Sequence, residues 1–143
     1  DVADQARWAA HFGCSRWIHA ADAAAAPQAE HQLQGLEPCD LDDDLRLIPA
    51  PGHTAGSMVL LLGGRILFSG DHLWWSEGQR ALVASQRYCW WNWPVQLESV
   101  QRLRELDVRW LLPGHGGHRQ FVPGEWSRQI DATLAFCRNQ SLG

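Results

Sequence analysis

Two apolar runs separated by only Gly63-Gly64 constrain this chain more than any other feature. Met58 to Leu62 and Arg65 to Ser69 read as strands, and a two-residue glycine turn joins such runs as an antiparallel hairpin. Upstream, Leu45, Leu47 and Pro49 alternate with Arg46 and Ile48 as a half-buried strand does, until Pro51-Gly52 breaks the pattern. The break delivers His53 on a tight loop, and the return strand ends at Gly70 to present Asp71. Both residues therefore sit on loops at strand ends, where a rigid scaffold usually holds its chemistry.

The remaining chain supports this centre. Val108 to Leu112 is a short apolar strand, broken by Pro113-Gly114 and followed at once by His115, so the order strand, Pro-Gly, His occurs twice. Asp4 to Phe12 has helical spacing with Gly13 as a stop, and Cys14 to Ala20 reads as a short strand through Trp17 and Ile18. Asp22 is placed to cap a short helical turn ended by Pro27. Gln28 to Asp44 reads as a solvated connection; its acidic run Asp40, Asp42, Asp43, Asp44 lacks the glycine and glutamate of an EF-hand loop. Asp71 to Trp93 reads as long and irregular. Pro94 suits the first turn of a helix striped by Leu97, Val100, Leu103 and Leu106, and Pro123 to Cys137 forms a second with Trp126, Ile130, Leu134 and Cys137 on one side.

Composition narrows the partners. A chain of 143 residues at 45% hydrophobic suits a single domain, 1–143, with a sizeable core. Its net charge of -4 and unclustered Lys and Arg argue against a nucleic-acid surface. No apolar run spans a membrane and no secretory signal is in view, so the expected location is cytoplasmic. Cys14, Cys39, Cys89 and Cys137 form no C-x-x-C pair and read as reduced, mostly buried thiols. Nine Trp, several of them between Trp74 and Trp93, are either a wall facing a substrate or filling between sheet and helix.

His53, Asp71 and His115 are donors of the kind that zinc, iron or manganese accept, although each alone is also an ordinary turn residue. In order, PGHTAGS, a hairpin, SGDH, a helix and LLPGHG closely resemble the C-terminal half of metallo-β-lactamase-fold hydrolases, over roughly Ile48 to Gly117. The resemblance implies a mixed α/β fold, the αββα sandwich, with its N-terminal part lacking. It implies a one- or two-metal site, with His53 on the first metal, Asp71 bridging both and orienting the catalytic water, and His115 on the second. Zinc is the first expectation, with iron or manganese as alternatives. The motifs are most similar to the glyoxalase II branch, which implies a small thioester or ester substrate. The family's H-x-H-x-D-H signature is absent; Asp4 stands where its Asp would fall and Gln5 where its last His would be. His72 and His118 are expected beside the site or on the surface rather than as ligands.

Two functions follow. One is a metal-dependent hydrolase acting on a small molecule, with no nucleic-acid or membrane partner. The other is a non-catalytic metal-binding or interaction domain on the same scaffold. Half a sandwich would also leave an apolar sheet face uncovered, so an upstream segment or a homo-oligomer is expected to cover it.

Overall fold

A computed structural model describes residues 4–140. The elements in order are α1 (Gln5–Phe12), β1 (Trp17–His19), a 3-10 turn (Ala20–Ala25), β2 (His31–Leu33), β3 (Cys39–Asp40), β4 (Leu45–Pro49) and β5 (Met58–Leu62). They continue with β6 (Ile66–Gly70), β7 (Trp74–Ser76), β8 (Ala81–Val83), a 3-10 turn (Gln86–Tyr88), α2 (Trp93–Leu103), β9 (Trp110–Pro113), β10 (Arg119–Gln120) and α3 (Glu125–Gln140).

The glycine turn forms as its sequence requires. Gly63 and Gly64 take φ of 57° and 67°, the left-handed pair that matches the twist of flanking antiparallel strands, and β5 pairs with β6 from Leu62↔Ile66 to Leu60↔Phe68. That hairpin lies within a six-stranded sheet of order β10-β9-β6-β5-β4-β3. Every neighbouring pair is antiparallel except β6 and β9. Since β4 and β6 each oppose β5, and β9 runs with β6, the strands β4, β6 and β9 point the same way. Their C-terminal ends emerge at one edge of the sheet.

Alternation then divides the two faces. Val59, Leu61, Leu67 and Leu111 point inward and join Val100 and Leu103 of α2 and Trp126, Ile130 and Leu134 of α3 in one core. Burying a side chain such as Leu67 or Leu111, each fully enclosed, contributes about 1.5–3 kcal/mol. The opposite face carries the register rows Leu60–Phe68–Leu112 and Leu62–Ile66–Trp110, where Phe68 and Trp110 remain more than a third exposed. Pro94 falls in the first turn of α2, and the Asn92 side chain accepts from Val95 N to cap that helix. No helix among the described residues is long and apolar enough to cross a membrane.

Several segments differ from expectation. The stretch read as a solvated connection holds β2, paired in parallel with β1, and β3, the edge of the main sheet. These pieces are two or three residues long, too short to show a period. The stretch read as irregular holds the hairpin β7–β8, whose Trp75 and Leu82 are buried in the core. Asp22 does not cap the 3-10 turn: His19 does, its Nδ1 accepting from Ala21 N. Of the four thiols only Cys137 is buried, and Cys14 is exposed.

Candidate metal centre

Because β4, β6 and β9 share a direction, the loops that follow them meet. His53 comes four residues after β4, Asp71 directly after β6 and His115 two residues after β9. His53 Nε2 lies 3.8 Å from Asp71 Oδ2, and His115 Nε2 lies 3.6 Å from Asp71 Oδ1. One carboxylate thus faces an imidazole on each of its oxygens. Asp71 is about one-third exposed, whereas His53 is largely enclosed and His115 open to solvent.

Each loop is fixed from behind. Gly52 has φ of 143° and lies so close to α2 that an added Cβ would stand 2.2 Å from Gln96 Cα. On the same helix, Ser99 Oγ donates to Pro51 O at 2.7 Å and Gln96 Nε2 donates to His72 O at 3.1 Å. Thr54 donates its hydroxyl to Asp22, and Thr54 N donates to Ser57 Oγ at 2.9 Å. The third loop is drawn against the second by Gly114 N donating to Gly70 O at 2.8 Å. A Cβ at Gly114 would stand 2.7 Å from Asp71 Oδ1, so glycine is what allows this loop to approach the carboxylate.

Gln96, Ser99 and Asp22 escaped the sequence reading as site residues. A trace existed for two of them: Gln96 and Ser99 share the helical stripe of Val100 and Leu103, and polar groups on an apolar stripe need partners. Asp22 had none, since its partner lies thirty-two residues away.

The arrangement can be tested against a divalent cation. At 3.6 and 3.8 Å neither His–Asp pair is a hydrogen bond, yet metal bonds of about 2.0–2.2 Å to each partner would span such gaps. Nitrogen and carboxylate donors suit zinc, iron or manganese. The set therefore fits in kind. In number it is lean: His53 and His115 approach different oxygens, so each half of the cluster has two protein donors. Among the described residues no three His, Cys, Asp or Glu side chains close on a single point.

The other expected residues fall as follows. Asp4 occupies the N-cap of α1 with no side-chain cap bond and pairs with Arg7 at 3.1 Å. It lines a shallow depression with Arg7, Trp8 and His11, and none of the three loop residues is among the walls. Residues 1–3, the rest of that stretch, lie outside the described residues. His72 is buried, and enclosure pushes its pKa down to about 3, with the nearby charges of His53 and Arg102 adding to the effect. It is therefore neutral at physiological pH. Both its ring nitrogens, His53 Nδ1 and Gln96 Oε1 are buried with no hydrogen-bond partner. His118 is exposed.

The aromatic segment divides between the core and the surface. Trp75 is buried in the core, and its backbone exchanges hydrogen bonds with Gly117 at 3.0 and 3.1 Å, tying β7 to the His115 loop. Tyr88, Trp90 and Trp91 are exposed, and the Trp90 ring lies 5.1 Å from that of His53.

Neither a protein-family model nor a curated protein sequence matches this chain. Solved structures do. The DIM-1 metallo-β-lactamase superposes with a TM-score of 0.65 at 18% identity, covering 95% of this chain and 64% of its own. The BLEG-1 B3 metallo-β-lactamase gives 0.66 at 15% identity, covering 92% and 69%. A metallo-β-lactamase family protein from Thermus thermophilus gives 0.59 at 18% identity, covering 91% and 55%. The chain has the metallo-β-lactamase fold, and it spans just under two thirds of the first of these structures.

Proposed function

We propose that this chain is a metal-dependent hydrolase acting on a small thioester or ester, with His53, Asp71 and His115 as its metal-binding core. The observation that carries this reading is the pair of approaches to Asp71, one imidazole on each carboxylate oxygen. The neighbours named as metallo-β-lactamases support it by fold. Zinc is the first choice of ion, one or two per chain, and iron or manganese suit the same nitrogen and carboxylate donors.

A bound divalent ion would supply a Lewis acid and a water acidic enough to ionise near neutral pH. The chain's own residues do the positioning. Asp71, reached from both sides, is the group that would orient that water toward a substrate carbonyl. Gln96, Ser99 and Asp22 hold the loops of His53 and Asp71 at fixed separation, so the donors need not be gathered when substrate arrives. Buried and neutral, His72 adds no competing positive charge beside the cluster.

The lean donor count favours a second reading, a metal-binding or interaction domain without turnover, because catalytic zinc usually keeps three protein ligands. Elemental analysis after dialysis, combined with thioester and ester hydrolysis assays on the chain and on Asp71→Asn, separates the two. The hydrolase reading expects bound metal and turnover that falls by at least about a hundredfold in Asp71→Asn. Metal retained with no hydrolysis of any ester or thioester would leave the second reading.

A further inference from the structure

Trp90 is the most exposed large apolar side chain among the described residues, at 79%, yet it is not loosely held. Its backbone N donates to His53 O at 3.0 Å, Asn92 N donates to Gly52 O at 3.0 Å, and Cys89 Sγ donates to Gly52 O at 3.0 Å. The chain from Cys89 to Asn92 is therefore laced to the loop that carries His53, and the indole is tilted 35° to the His53 ring. Across the carboxylate, Trp74 lies against the loop of His115: a Cβ at Gly116 would stand 2.6 Å from its Cδ1. Tyr88, half exposed, meets Trp74 edge to face at 6.1 Å. Aromatic rings thus flank Asp71 on the side of each histidine.

Trp90 is held exposed by its own backbone bond to His53 and by the bonds of Cys89 and Asn92 to Gly52, and exposed aromatic groups gathered at a polar cluster mark binding. We propose that Trp90, with Trp74 and Tyr88 opposite, is the recognition surface of the site and that the substrate carries a planar aromatic ring next to the bond to be cleaved. Shape favours a ring over an alkyl chain. These rings are open to solvent, and an alkyl chain there would stay wet along most of its length, whereas a flat ring covers the indole with a whole face and gains the aromatic pairing energy as well.

This inference rests on the hydrolase reading for the placement of the reacting bond, but the binding it requires can be measured without turnover. The full chain is titrated by calorimetry, with zinc present, against 2-naphthoate and decahydro-2-naphthoate, which share a carboxylate and a carbon skeleton and differ in planarity. Naphthoate binding more tightly, with Trp90→Ala losing roughly three- to tenfold for naphthoate alone and Trp90→Phe retaining most of it, supports the proposal. Equal binding of the two acids, or a naphthoate preference that survives Trp90→Ala, overturns it. Trp90 contributes little to the core, so an unchanged thermal melt is expected of both variants. Hydrolysis with no ring preference would overturn this inference and leave the hydrolase reading standing; ring preference lost in Trp90→Ala without any hydrolysis would do the reverse.

Discussion

Gly52→Ala tests whether helix α2 sets the position of His53. A Cβ there would meet Gln96 Cα, Cβ and N at 2.2, 2.3 and 2.6 Å, and two of those atoms are helix backbone that no rotamer change can move. The backbone is also at φ of 143°, where an L-residue is strained by on the order of 1–3 kcal/mol. Adding overpacking of about 1–3 kcal/mol gives an expected loss of roughly 2–6 kcal/mol. Gly63→Ala is the control. Its φ of 57° is also left-handed, but an added Cβ meets nothing within 4 Å, so it carries backbone strain alone, about 1–2 kcal/mol. Urea titrations of the three proteins, read by tryptophan emission, give the comparison at constant m-value. If Gly52→Ala costs no more than Gly63→Ala, the close contact between the His53 loop and α2 is not what holds that loop, and the account of its positioning fails.

Two further outcomes are expected. Thr54→Val removes the hydroxyl that joins Asp22 and Ser57, leaving a half-buried carboxylate without that donor; a loss of about 1–2 kcal/mol in chemical denaturation and weaker metal retention after dialysis should appear together. Glu30 accepts from the side chain and the backbone N of Arg16, which together pull its pKa down to about 2 from 4.5. A carboxyl depressed in the folded state stabilises it above its unfolded pKa and ceases to as pH falls through the folded value. The contribution should therefore vanish between about pH 4.5 and 2, and Glu30→Gln should flatten the pH dependence of the melting temperature in that window alone.

Much of the centre was legible because its signals are local. Gly63-Gly64 fixes the hairpin, each Pro-Gly ends a strand just before a histidine, and the stripe Trp126, Ile130, Leu134, Cys137 is wholly buried in α3 as its spacing requires. The meeting of His53, Asp71 and His115 was also anticipated, since three strand-end loops on one sheet edge converge once β6 and β9 pair in parallel. What escaped was set by distant partners or by very short pieces. The strand β3 exists only because Cys39 and Asp40 find Leu47 and Arg46 of β4, with Arg46 holding Asp40 by a bidentate contact. Asp22 looks like a helix cap because its residue type caps helices, and only the folded chain brings Thr54 to it. The hairpin β7–β8 was hidden because each of its strands is three residues long, too short to show alternation; of the two readings open for its tryptophans, Trp75 takes the packing one, edge to face on Phe121.

The common direction of β4, β6 and β9 also gives the domain a working end and a spare end. The turn at Gly63-Gly64 closes the hairpin away from the ends that carry His53, Asp71 and His115, and both glycines are exposed with open space around them. Additional chain length there costs little in loop-closure entropy and displaces no packed neighbour. For protein engineering, that turn is the natural port for an affinity handle, a surface tether or a fluorescent insert, joined to the scaffold at the far side from the three loops.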